Sequence, residues 1–180
     1  MEVKQASILD LLIIQPDVFT DTRGCFFETY NKQKFKQFGI ESEFMQDNLS
    51  ISSKDTLRGL HFQNPPFHQG KLVSVIKGSV LDIAVDIRKK SQYYGKYFSI
   101  ILSEINKTMF WIPPGFAHGF LSLENDTIFV YKCTQIYNKD SESSIKWNDP
   151  DLNISWGVKS PLVSKKDQEA PLFKQLNSMF

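Results

Sequence analysis

From Val80 to Arg88 the chain alternates strictly, with Leu81, Ile83, Val85 and Ile87 on one side and Asp82, Asp86 and Arg88 on the other. A period of two is the signature of a strand, and it predicts one buried face and one wet face. Segments of the same kind recur at Cys25–Tyr30, Phe44–Ile51, Lys71–Ile76, Tyr97–Leu102, Met109–Ile112, Phe116–Leu123 and Thr127–Tyr137, bounded by Gly, Pro, Asn or Asp. So many short strands without helices between them argue against alternating βα architectures. They predict an all-β sandwich or barrel, with the jelly roll as the leading candidate. Peripheral helix is expected in two places only. Asn31–Phe38 has a capping Asn31 at its start and Gly39 to end it, and a short helix is expected after Pro171.

The 180 residues fit a single domain, 1–180, with no internal repeat, linker or low-complexity segment; the most polar stretch is the loop Asn138–Ser144. A formal net charge of +1 and 41% apolar residues exclude a disordered chain and a polybasic nucleic-acid surface. The most apolar N-terminal run, Leu11–Ile14, is too short to span a bilayer, so the expectation is a soluble, cytoplasmic protein with no membrane partner. Cys25 and Cys133 each fall in a predicted strand, which fits buried free thiols better than a disulfide framework. Fifteen phenylalanines predict a thick aromatic core or a stacking surface.

The chemistry concentrates in Arg58-Gly59-Leu60-His61-Phe62-Gln63 and Gln69-Gly70-Lys71-Leu72-Val73, read as two strands joined by the turn Asn64-Pro65-Pro66. A guanidinium suited to an anion, an imidazole that titrates near neutrality and an ammonium able to face an oxyanion are the parts of a proton-transfer site on a phosphorylated substrate. Further on, Pro113-x-Gly115-x-x-His118 resembles the second motif of cupins, whose histidine points into a barrel and often holds a metal. The first cupin motif normally supplies a His-x-His pair and a nearby Glu. Here that place holds His61-Phe62-Gln63, and His68 lies in a Pro-flanked loop, so no metal and no cofactor is expected. Without a metal, His118 also reads as a structural histidine bonded to backbone.

Eight segments in register identify a closer resemblance: Asp21-Thr22-Arg23-Gly24 with Phe26–Tyr30, Gln46–Ser50, Arg58–Gln63, Gln69–Val73, Trp111–Phe120, Tyr131–Thr134, Trp147–Asp151, and Ser164–Asp167 with Ala170-Pro171. Together they resemble the dTDP-4-dehydrorhamnose 3,5-epimerases, nucleotide-sugar epimerases of the cupin superfamily. The resemblance implies a 4-keto-6-deoxyhexose carried on thymidine diphosphate, inverted at the two carbons that flank its carbonyl.

The roles that follow are those the resemblance implies. His61 is the base and Asp167 the carboxylate paired with it; Tyr131 is the acid, and Lys71 donates to the C4 oxyanion. Arg23 and Arg58 meet the diphosphate, where planar guanidinium donors suit phosphate oxygens. Lys166 and His118 contact the ligand, and Glu28, Gln46, Asp47 and Asn48 fall at nucleotide-binding positions. Phe26 and Tyr137 stack on the base or line the pocket, and Glu142 belongs to the same set. The family's N-terminal segment crosses to a second subunit, implying a homodimer with shared sites. Read without the resemblance, Tyr131 is a core tyrosine, Asp167 a solvated charge, Lys71 a surface lysine and Phe26 core packing. Departures from the family pattern at His68, Gln135-Ile136 and Ser144 bear on which sugar is bound. The competing readings are a single-centre epimerase or a ketoisomerase on another nucleotide-linked 4-keto sugar, a metal-dependent cupin oxygenase, and a non-catalytic nucleotide-sugar binding module.

Overall fold

The computed structural model describes residues 1–180. Its strands are β1 (Glu2–Gln5), β2 (Leu12–Gln15), β3 (Phe19–Asp21), β4 (Gly24–Phe26), β5 (Gln46–Ser52), β6 (Thr56–Gln63), β7 (Lys71–Lys77), β8 (Ser79–Asp86), β9 (Tyr97–Ser103), β10 (Met109–Ile112), β11 (Phe116–Ser122), β12 (Thr127–Cys133), β13 (Glu142–Ser144) and β14 (Leu162–Val163). Helix is confined to α1 (Lys32–Lys36), α2 (Lys165–Gln168) and a 3-10 turn at Phe173–Gln175. One six-stranded sheet runs β1-β2-β10-β7-β12-β5; a second runs β13-β6-β11-β8-β9, with β14 pairing in parallel to β6. The remaining pairings are antiparallel, which gives the expected jelly roll of two facing sheets.

Three apolar clusters explain why the sheets sit where they do. Between the sheets lie Val73, Val75, Phe110, Phe116, Phe120 and Phe129 with their neighbours, the rings of Phe120 and Phe129 stacking at 4.1 Å. Outside the second sheet, Ile145, Leu152 and Trp156 from the C-terminal third cover Leu57, Leu60, Ile83, Val85 and Leu121. On the first sheet, α1 lays Phe35 over Leu72, Met109 and Trp111. Five residues cannot hold a helix alone. Asn31 caps it by accepting from Gln33 and Lys34, and burial of Phe35 stabilises it by about 2–3 kcal/mol.

Several expectations change here. β8 is not half-buried, because the C-terminal chain covers one of its faces and the opposite sheet the other; Asp82 and Asp86 are both fully enclosed. Cys133 is buried as expected, but Cys25 is exposed. Cys25 lies on the two-stranded β3–β4 ribbon, which pairs with neither main sheet and has no core to hide it. The predicted strands Cys25–Tyr30 and Thr127–Tyr137 stop at Phe26 and Cys133, and the polar loop 138–144 contributes β13, which pairs with β6. No helix is long and apolar enough to cross a membrane.

Candidate active site

Between the two sheets a cleft of about 690 Å³ opens, lined by residues of β5, β6, β7, β11, β12 and α2. A side hollow of about 370 Å³, bounded by Gln46, Gln63, Tyr137 and Glu142, shares Asn48, His61, Lys71 and Tyr131 with the main cleft.

β6 delivers two of the key side chains through an irregularity. In a regular strand Arg58 and His61, three apart, would face opposite ways. Between the pairs His118↔His61 and Phe120↔Arg58, however, β11 advances two residues while β6 advances three, which is a bulge. Gly59 sits in it at φ +139, and a Cβ there would come 2.5 Å from the Cα of Gly119. The bulge resets the alternation, so that Leu57, Leu60 and Phe62 pack outward while Arg58 and His61 both line the cleft.

His61 Nε2 lies 2.6 Å from Asp167 Oδ1, and the bulge amide of Gly59 points to Asp167 Oδ2 at 3.4 Å. Asp167 comes from α2, where Ser164 caps the helix by accepting from the Asp167 amide at 3.1 Å. Burial works to raise the Asp167 carboxyl, but the hydrogen bond and charge of His61 with the Gly59 and Ser164 contacts outweigh it and leave the pKa below the ordinary value. The carboxylate therefore stays ionised at neutral pH and fixes which imidazole nitrogen carries the proton.

Tyr131 enters from the facing sheet, on β12 opposite Asn48 and Val73. Burial raises its phenol pKa, with Cys133 adding to the rise and Arg58 opposing it, so the group is a protonated donor at neutral pH. Lys71, only 8% exposed, is no surface lysine. Burial lowers its pKa against the opposing pull of Cys133, Asp82 and Glu142, and its Nζ approaches the His61 carbonyl at 3.4 Å. Gly70 precedes it because a Cβ there would lie 2.5 Å from the Trp111 ring.

His118 makes a second imidazole–carboxylate pair, with Nε2 at 2.9 and 3.1 Å from the two oxygens of Asp82. Burial lowers the His118 pKa, and the Asp82 charge and hydrogen bond oppose that. Sequence reasoning missed Asp82, because alternation assigned it to solvent. Its signal lay in the register, where Asp82 sits opposite Phe120, beside His118, and register is invisible in a single sequence. No three His, Cys, Asp or Glu side chains converge in a metal-binding arrangement, and His68 is exposed against the Phe180 ring.

The remaining expected residues divide into two groups. Arg58 donates to Ser52 at 3.3 Å; Lys166 pairs with Glu142 at 2.5 Å, and Tyr137 donates to the same carboxylate at 3.0 Å. Gln46 donates to Asn48 and accepts from the Tyr137 amide, so all of these gather around the cleft and its side hollow. Asp47 does not join them. It points out of the opposite face of β5 and pairs with Lys132 at 2.9 Å, as period two requires for a residue between Gln46 and Asn48. Arg23, Phe26 and Glu28 also lie outside the cleft of their own chain: Arg23 pairs with Asp21, Phe26 is 66% exposed and Glu28 pairs with Lys34.

Known proteins share this arrangement of chain and fold. The family profile described as dTDP-4-dehydrorhamnose 3,5-epimerase matches residues 5–175. The enzyme of that name from Salmonella typhimurium is 49% identical over 177 residues, covering 97% of each chain. Among solved structures, the dTDP-4-dehydrorhamnose 3,5-epimerase from Elizabethkingia anophelis superposes with a TM-score of 0.94 at 47% identity, covering 98% of both chains. The dTDP-6-deoxy-D-glucose-3,5-epimerase from Legionella pneumophila, solved in complex with dTDP-4-keto-L-rhamnose, gives 0.94 at 44% identity over 98% of this chain and 94% of that one. Agreement over nearly the whole length, in sequence and in backbone alike, means that this chain belongs to the dTDP-4-dehydrorhamnose 3,5-epimerase family.

Proposed function

We propose that the chain acts as one jelly-roll domain that epimerises dTDP-4-dehydro-6-deoxy-D-glucose at C3 and C5 to give dTDP-4-dehydro-L-rhamnose, for cell-surface polysaccharide synthesis in the cytoplasm. The observation that carries the reading is the pairing of His61 with Asp167 on one sheet and its helix, with Tyr131 on the sheet opposite. The C4 carbonyl acidifies the hydrogens on both neighbouring carbons. His61 takes one of them, Lys71 donates to the enolate oxygen, and Tyr131 returns a proton from the other face. Each inversion leaves an imidazolium and a phenolate, which exchange protons with solvent before the next. Arg58 and Lys166 supply positive charge for the diphosphate at the cleft. The test is the NMR spectrum of the product from dTDP-4-dehydro-6-deoxy-D-glucose. A spectrum of the L-rhamno 4-ketone is expected, whereas a carbonyl moved to C3 means ketoisomerase chemistry.

The same reading includes a homodimer with shared sites. It is supported by the β3–β4 ribbon, which holds Phe19 and Phe26 in the open together with Arg23, and by Leu49, Ile51 and Ile76 exposed on the first sheet. A ribbon that crosses to a second copy brings Arg23, Phe26 and Glu28 to that copy's cleft. Co-expressing the inactive variants Arg23→Ala and His61→Ala then restores about a quarter of wild-type activity, because half of the mixed dimers' sites are intact. Absence of any recovery means that each chain builds its own site.

A further inference from the structure

The strand β5 is built inside out. Its inward positions are Gln46, Asn48, Ser50 and Ser52, while Leu49 and Ile51 face outward and are exposed. A strand beside a phenylalanine-rich core normally turns its apolar side inward. Polar groups on the inner face need partners, since an unpaired buried hydroxyl costs free energy.

Three of the four inward groups have them. Gln46 bonds Asn48 and the Tyr137 amide, Asn48 donates to the Cys133 sulfur at 3.5 Å, and Ser52 accepts from Arg58. Ser50 alone has none: its Oγ is shielded from solvent and is the one buried side-chain polar atom without a partner. The residue nevertheless lines the main cleft beside Asn48 and Arg58.

We infer that Ser50 is a further substrate-binding residue, whose hydroxyl donates to a phosphoryl oxygen of the nucleotide diphosphate next to Arg58. The inference rests on the epimerase reading and deepens it. Ser50 stands two residues from Ser52 on the same face, and Ser52 holds the Arg58 guanidinium by Nε, leaving its terminal N–H groups for phosphate. A rotation about the single χ1 bond of Ser50 moves Oγ from its shielded position to the side of the residue that borders the cleft. Ligand binding thus supplies the missing acceptor, and the polar face of β5 becomes fully paired.

The probes are dTDP and thymidine, titrated calorimetrically into wild type, Ser50→Ala and Ser50→Thr. For Ser50→Ala the dTDP dissociation constant rises about tenfold, as for loss of one hydrogen bond to a charged oxygen. Thymidine, which lacks phosphate, binds as it does to wild type, and Ser50→Thr keeps most of the dTDP affinity. The melting temperature of Ser50→Ala without ligand is equal to or above that of wild type, because an unpaired hydroxyl has been removed. Unchanged dTDP affinity in Ser50→Ala, or equal weakening of thymidine, overturns the inference while leaving the epimerase reading intact. Failure of wild type to bind dTDP overturns both.

Discussion

His61→Ala lowers kcat by about 10³- to 10⁴-fold, the upper range for losing a positioned base, and leaves the fold in place. The effect is large because nothing else in the cleft can take over. Asp167, the nearest carboxylate, is tied up by His61 and the Gly59 amide, and its pKa below the ordinary value makes it a weak base. Lys71 is buried with its Nζ directed at the His61 carbonyl, and His118 spends its Nε2 on Asp82. The fold survives because Arg58, Gly59 and the bulge do not depend on the imidazole: Leu60 and Ile145 exchange backbone hydrogen bonds at 3.2 and 3.0 Å across the strand pair. Steady-state kinetics beside a melting curve separates the two effects. A kcat within tenfold of wild type removes His61 from the role of base.

Tyr131→Phe separates the two halves of the reaction. Phenylalanine keeps the ring, which packs against Phe129 at 5.9 Å, and removes only the hydroxyl. Inversion falls about 10²- to 10⁴-fold, since the enolate has lost its donor on the second face. His61 can still take a proton and give one back to the same face. The variant therefore continues to exchange substrate hydrogen with solvent while forming almost no product. If exchange and inversion fall together, Tyr131 does more than reprotonate; if neither falls, it is an ordinary wall of the pocket.

Much of this was legible in the sequence, for reasons that differ from residue to residue. Alternation identified β8 and the other long strands because period two survives wherever a strand has a core to face. It misassigned Asp82 because it assumes that the second face is wet, and here that face, shared with Val80 and Ala84, is turned toward the opposite sheet while the C-terminal chain covers the other. Arg58 and His61 stand out by their residue chemistry, and the resemblance adds their roles; spacing alone places them on opposite faces, and only the Gly59 bulge brings them together. α2 left a readable signal in Ser164-Lys165-Lys166-Asp167, a serine followed three residues later by an acid, which is the pattern of a capped helix start. Four residues gave too little periodicity to confirm it. β13, three residues long, owes its existence to pairing with β6 and has no pattern of its own. Ser50 falls within the segment Gln46–Ser50 but carries no role there, because a serine on a strand is unremarkable until its neighbours' partners are known.

The central claim is that one base and one acid on facing sheets invert both carbons beside the carbonyl. Incubating the wild-type protein with dTDP-4-dehydro-6-deoxy-D-glucose in deuterated water tests it most directly. Proton NMR of the product should show deuterium at both C3 and C5, with both centres inverted. Deuterium at one centre only, with the other unchanged, would contradict it and make the protein a single-centre epimerase.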